Sequence, residues 1–203
     1  RVFKACQPFL LFISVLEQSG YMAAVGFDLY CRLLAEAAER MRAMRKGETP
    51  PPPSEGPEVT IELPLSAHLP QSYVPDLNQR LALYQRMSDA REPQEVESIG
   101  GELVDRFGEP PPPVRSLLYV ILVRVLAAQA GVQAVATEGG RVVLKLKEGF
   151  LVPREALEPR APRGVHLGRT LVRVELGEGW RTRLREVLES LAAAQPVLAK
   201  SQP

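Results

Sequence analysis

The apolar positions of this 203-residue chain change period several times, and each change marks an element. Val59, Ile61 and Leu63 alternate with Thr60 and Glu62, the pattern of a half-buried strand. The period then lengthens. Asp76, directly after Pro75, is suited to cap a helix in which Leu77, Leu81, Tyr84 and Ser88 share one side. Pro93 fits the first turn of a second helix with the stripe Val96, Ile99, Leu103 and Phe107, and Gly108 closes it. Gly100 and Gly101 sit inside that helix and weaken it by roughly 1 kcal/mol each relative to alanine, so packing has to compensate. After Pro110 to Pro113, residues 114–130 are apolar on most sides, as a central buried helix would be, and Gly131 ends the run. Val142, Leu144 and Leu146 alternate with Val143, Lys145 and Lys147, and Gly139-Gly140 predicts a hairpin back to residues 132–136. A strand over 171–176 and a last helix over 180–194 complete an α+β pattern: a helix-rich domain with a small antiparallel sheet.

Upstream, Phe27, Tyr30, Leu34, Ala38 and Met41 recur at helical spacing, and Gly47 supplies a stop. The opposite face, with Glu36, Glu39, Arg40 and Arg42, is expected to be wet. Four consecutive prolines, Pro50 to Pro53, then impose an extended spacer. The expected organisation is a helical tail over 1–47, a Pro-rich linker over 48–57 and the main domain over 58–203.

Composition excludes more than it selects. With 45% hydrophobic and 24% charged residues the chain can bury a core. A net charge of +1 exerts no global pull toward nucleic acid or membrane. The charge is nevertheless uneven: between Asp89 and Glu109 seven acidic residues face two arginines, and between Arg141 and Arg185 eleven basic residues face five acidic ones. Such a dipole suits a protein that docks on another protein or on another part of its own chain. Cys6 and Cys31 have neither metal-ligand spacing nor a disulfide framework, which points to a reduced, cytoplasmic setting. The apolar run from Pro8 to Leu16 is too short to span a bilayer, and no membrane partner is expected.

The chain contains no Gly-x-x-x-x-Gly-Lys-Ser/Thr loop and no Gly-x-Gly-x-x-Gly, so nothing in it cradles a nucleotide. His68 and His166 stand apart from other ligand-type residues, and Ser19 and Ser88 lack the surroundings of a catalytic nucleophile. No enzyme activity, metal or cofactor is expected. The informative pair is Glu102 and Asp105, about 60° apart on the helix and off its apolar stripe. An acid-base pair would need a pocket that splits their pKa values, which the sequence does not suggest. Carboxylates so aligned suit a patch that accepts guanidinium groups. A solvated flank, with Arg106 as local partner, is the simpler reading of the residues alone. Arg160, Arg163, Arg169 and Arg173 keep open a second function, a small nucleic-acid-binding module, although aromatic interleaving is sparse there, with only Phe150 and Trp180 nearby.

Several segments, in order, resemble the bacterial transcription-repair coupling factors. They are Glu17-Gln-Ser-Gly20 and Val25-Gly-Phe-Asp-Leu-Tyr30, then Tyr73-Val-Pro-Asp76, Asn78, Arg80-Leu81, Tyr84 and Arg86, and finally Glu102-Leu-Val-Asp-Arg-Phe-Gly108. The similarity runs from about Glu17 to Leu146. It implies that residues 1–47 are the tail of a DNA translocase module and that 58–203 form the family's C-terminal regulatory (TRCF) domain. In that family this domain packs on a module similar to the repair protein UvrB, masks the surface for UvrA, and belongs to a protein that displaces stalled RNA polymerase and recruits nucleotide-excision repair. ATP and DNA belong to the motor, whose motifs this chain lacks. Glu102 and Asp105 match the acidic positions of the family's Glu-Leu-Ile-Asp-Arg-Phe-Gly motif, and with Arg106 and Arg80 they are the expected partner-binding residues. The resemblance moves the pair from solvated flank to docking patch. Ahead of Glu17 the residues depart from the family's charged, glycine-containing stretch, so 1–16 are expected to be atypical, the product of a truncated or frame-shifted gene.

Overall fold

Proline and glycine set the element boundaries of this structure, a computed structural model that describes residues 59–198. The expected helix over 27–46, the Pro-rich linker and both cysteines lie outside the described residues. Strand β1 (Thr60–Glu62) leads, through a loop, into helices α1 (Leu77–Asp89), α2 (Pro93–Phe107) and α3 (Pro112–Gln129). A hairpin follows, β2 (Val132–Glu138) and β3 (Arg141–Leu146). Then come a one-turn helix α4 (Arg154–Leu157) running into a 3₁₀ turn (Glu158–Arg160), strands β4 (Val165–Leu167) and β5 (Leu171–Glu175), and helix α5 (Trp180–Leu198). The fold class is α+β.

The five strands form one sheet in the order β1-β2-β3-β5-β4. The sequence leads one to expect a small antiparallel sheet; three of the four strand pairs are antiparallel, and β1 adds a parallel partner to β2, pairing Ile61 with Val135. The reason is topological. A two-residue turn returns a strand antiparallel, whereas β1 and β2 are separated by three helices, a crossover long enough to bring the chain back in the same direction. Gly139 and Gly140 make the predicted turn with φ of 54° and 75°, the positive pair that a tight two-residue hairpin demands. Between Val132 and Ala134 the β2–β3 register slips by one residue. That bulge lets Val132 and Val135, three apart, both face the core, which strict alternation forbids.

Helix α3 is the centre of the molecule. Val114, Leu117, Ile121, Val123 and Ala127 are wholly buried, and the helix packs on α2, α5, β1 and β2. By length and hydropathy α3 would qualify as a membrane span, but here it is the core helix. From α5, Leu184, Val187, Leu188 and Leu191 descend at i, i+3, i+4 and i+7 onto α3 and β5. The inner face of the sheet contributes Ile61, Val135, Val142, Leu144, Val172 and Val174 to the same core.

Buried polar groups hold the helices in place. Arg124, on apolar α3, donates to the carbonyl oxygens of Ser88 (2.8 Å), Met87 (2.9 Å) and Ala90 (2.9 Å) at the end of α1. Those acceptors have no partner within their own helix, and a guanidinium with five donors satisfies several of them at once. The Tyr84 hydroxyl accepts the backbone N–H of Leu69 at 2.8 Å and so fixes the β1–α1 loop on α1. The Tyr73 hydroxyl lies 3.0 Å from Leu103 O and 2.8 Å from Gly108 O, binding the same loop to the end of α2.

Candidate functional site

The residues singled out from the sequence converge on the surface formed by α1 and α2. Asp76 caps α1 as expected, accepting the Gln79 N–H at 2.8 Å. At the start of α2 the Glu95 carboxylate folds back to accept the N–H groups of Arg91 (2.6 Å) and Glu92 (3.0 Å), and these bonds hold its pKa below the usual value. At the other end Gly108, with φ of 80° and ψ of −165°, takes an extended positive-φ conformation open essentially to glycine and donates its N–H to Val104 O at 2.9 Å. Both termini of α2 are therefore fixed, and its side chains are presented from a defined element.

Glu102 is the hub. Its Oε2 accepts from Arg86 of α1 at 2.5 Å and its Oε1 from Arg106, one turn further along α2, at 2.6 Å. Arg106 also donates to the Gln79 side chain at 3.1 Å, and its guanidinium lies 5.0 Å from the centre of the Phe107 ring. The chain Gln79, Arg106, Glu102, Arg86 thus crosses from α1 to α2 and back. Hydrogen bonds from Arg86, then Arg106, hold the Glu102 carboxyl below its ordinary pKa.

Asp105 is separate from this network. It is exposed and makes no hydrogen bond or ion pair among the described residues. Beside it Val104 is 48% exposed, one of three large hydrophobic side chains so placed among the described residues. One turn back, Gly101 also faces out, with no atom within 4 Å of where a Cβ would stand. The outward side of α2 is therefore a low, partly apolar strip with a free carboxylate at its edge. Toward the start of α2 and the end of α1, a shallow depression lined by Arg86, Asp89, Ala90, Gln94, Glu95, Ser98 and Ile99 has a volume of about 430 Å³.

Arg80 is turned inward. Expected among the partner-binding residues, it is buried at 6% exposure, and its guanidinium donates to Val74 O (2.7 Å) and Pro75 O (3.0 Å). Those carbonyls precede the helix and lack a helical partner, so the arginine turns inward and acts as a brace. His68 is half-buried, with Nδ1 3.5 Å from the Ser66 hydroxyl, and burial lowers its pKa. His166 is exposed and pairs with Glu175 at 3.0 Å. Among the described residues no group of three or more His, Cys, Asp or Glu side chains is arranged to hold a metal ion. In the sequence Arg86 is no more than the last residue of a motif; its role as partner of Glu102 depends on how α1 and α2 cross, which no local pattern encodes.

Comparison with known proteins bears on the family and the fold. The family described as the TRCF domain matches residues 63–155. The transcription-repair-coupling factor of Mycobacterium bovis is 39% identical over 132 residues, covering 63% of this chain and 11% of that protein. That of Escherichia coli strain K12 is 38% identical over 128 residues, again 63% and 11%. That of Staphylococcus aureus is 32% identical over 123 residues, covering 61% and 10%. The chain thus spans about a tenth of the length of these relatives. A crystal structure of the C-terminal domain of transcription-repair coupling factor shares the fold, with a TM-score of 0.57 at 20% identity, covering 74% of this chain and all of that one. Over residues 63–155 this chain carries the TRCF domain of the transcription-repair-coupling factors.

Proposed function

We propose that this domain is a non-catalytic, autoinhibitory clamp, which docks on a UvrB-like module and masks that module's surface for UvrA. The parent protein, in this reading, displaces stalled RNA polymerase and recruits excision repair, with ATP and DNA handled by a motor outside this chain. The carrying observation is the outward strip of α2, where the 48% exposed Val104 stands beside the free carboxylate of Asp105. An apolar anchor next to an unpaired charge is the arrangement by which a small surface gains both area and orientation. Asp105 is the first contact for a partner's guanidinium. Glu102, already holding Arg86 and Arg106, orients the strip and retains spare lone pairs for a further donor.

Titration calorimetry of the full chain against the isolated UvrB-like module of a relative tests this. Asp105→Lys and Val104→Asp should each weaken binding at least tenfold, in line with the ~2–5 kcal/mol lost when one partner of a desolvated charge pair is removed. Equal affinity for wild type and both variants returns α2 to a solvated flank. The absence of a phosphate loop leads to a companion expectation: purified chain at the buffer background for ATP hydrolysis, with or without DNA.

A further inference from the structure

The described arginines of the helical half are engaged: Arg86, Arg106, Arg115 and Arg124 all have hydrogen-bond acceptors. The basic side chains that make no hydrogen bond, ion pair or ring contact among the described residues are Arg141, Lys145, Lys147, Arg163, Arg169 and Arg173, all on or beside the β3–β5 part of the sheet. The register sorts them. Arg141 lies between Glu138 and Glu175, with a carboxylate residue as its cross-strand neighbour on either side. Lys145 pairs with Ala134 on one side and Leu171 on the other, and Arg173 lies between Val143 and His166, so neither has a carboxylate as its direct cross-strand neighbour.

Arg141, Lys145 and Arg173 alternate with the buried Val142, Leu144, Val172 and Val174 and so occupy the outer face, opposite the one covered by α3 and α5. Lys145 and Arg173 are exposed there on the adjacent strands β3 and β5, flanked by Val143 and Leu171, while β2 on the other side of β3 offers only the small Ala134 and Ala136. At the same end the loop after β3 carries Phe150 and Leu151, 39% and 47% exposed. That loop is tied to the β4–β5 turn by Val152 N–H to Arg169 O at 2.9 Å, and Leu146 N–H reaches Thr170 O at 3.0 Å. Lys147, Phe150 and Arg169 are thereby gathered at one rim, with Glu148 as the acidic residue of the loop.

We propose that the outer sheet face binds single-stranded nucleic acid, its phosphates taken by Lys145, Lys147, Arg169 and Arg173 and one base stacked on Phe150. A duplex fits less well. Five strands about 4.8 Å apart make a face about 19 Å across, wider than the ~12 Å major groove, so a duplex would offer it only an outer rail of phosphates. A single strand can lie along the cations and present a base to the exposed ring.

Fluorescence anisotropy of the full chain with a labelled oligothymidylate of about twenty nucleotides is the test. Affinity should fall as salt rises from about 50 to about 200 mM, with a log–log slope of roughly −0.7 per phosphate contacted. Lys145→Glu/Arg173→Glu, both exposed, should keep the circular dichroism spectrum and melting temperature, weaken binding at least tenfold and flatten the slope by about 1.4. Phe150→Ala should weaken binding about fivefold or more with the slope unchanged, because stacking releases no counterions. Three results overturn the proposal: a folded charge-reversal variant that binds as well as wild type, a duplex of equal length that binds as tightly, or a poly-glutamate peptide that binds where the oligonucleotide does not, which assigns the face to an acidic protein.

Discussion

Arg86 on α1 and Glu102 on α2 stand 2.5 Å apart and link the two helices that build the candidate docking surface. Arg106 grips the other oxygen of the same carboxylate, so Glu102 acts first within its own chain. The residue that looked like half of an acidic pair is a brace, and the free carboxylate of the motif is Asp105.

The pH dependence of this brace follows from its pKa. Folding lowers the Glu102 pKa below its ordinary value of 4.5, chiefly through Arg86. A carboxyl depressed on folding contributes stability that is fully present above the unfolded pKa and is lost as pH falls through the folded one. The stability difference between wild type and Glu102→Gln should therefore be constant near neutrality and shrink below about pH 4.5. Carbon-detected titration of the Glu102 carboxyl should show its midpoint rising toward the ordinary value in Arg86→Gln. An unmoved midpoint would remove Arg86 from the account.

Arg124→Met keeps the length of an apolar core side chain but leaves the carbonyls of Met87, Ser88 and Ala90 without their donor. Hydrogen bonds to a charged group contribute about 1.5–3 kcal/mol, and the three act as a unit, so a loss of about 3 kcal/mol in urea unfolding is expected. Arg124→Lys should recover only part, since a compact ammonium cannot span the same acceptors. Full stability of the Met variant would mean that water caps α1 equally well.

Gly101 and Gly108 should respond in opposite directions to alanine. At Gly101 a methyl group meets open space in a helix interior, so Gly101→Ala should stabilise by about 1 kcal/mol. At Gly108 the φ of 80° disfavours any side chain, so Gly108→Ala should destabilise by about 1 kcal/mol. Thermal melts of the pair separate local propensity from backbone strain. A destabilising Gly101→Ala would mean that the outward strip is already covered in the whole chain.

Leu103 and Tyr84 probe the core beneath the site. Leu103 is completely buried on the predicted stripe, and its truncation to alanine should cost about 2–5 kcal/mol. Tyr84→Phe keeps the ring but leaves the Leu69 N–H without the hydroxyl it bonds, for a loss of about 1–3 kcal/mol. If the phenylalanine variant unfolds at the wild-type urea concentration, the β1–α1 loop is held by its apolar contacts alone.

Much of this fold is local and was therefore legible. Alternation over residues 59–63 gave β1 and its inward set Val59, Ile61 and Leu63, because a pleated backbone sends successive side chains to opposite faces. The α2 stripe placed Val96, Ile99 and Leu103 in the core, and proline and glycine marked the helix ends, because each residue restricts or frees its own φ. Short pieces were missed. The one turn of α4 and the three residues of β4 are too brief to show a period. On α1 the buried side is wider than the stripe Leu77, Leu81, Tyr84 and Ser88, since Leu83 and Met87 are buried as well.

By itself, then, the sequence determined the longer elements of the described residues, the Asp76 cap, the hairpin turn, the likeness to the coupling factors and the acidic character of α2, all properties that a residue and its near neighbours carry. Only the tertiary structure decided that β1 runs parallel to β2, that Val132 and Val135 share a face, that Arg80 and Arg124 serve carbonyls inside the protein, and that Glu102 is held while Asp105 is free. The physical reason is common to all four. A guanidinium, a carboxylate or a strand edge can be satisfied by many partners, and the choice among them rests on which surfaces the buried face of α3 brings together.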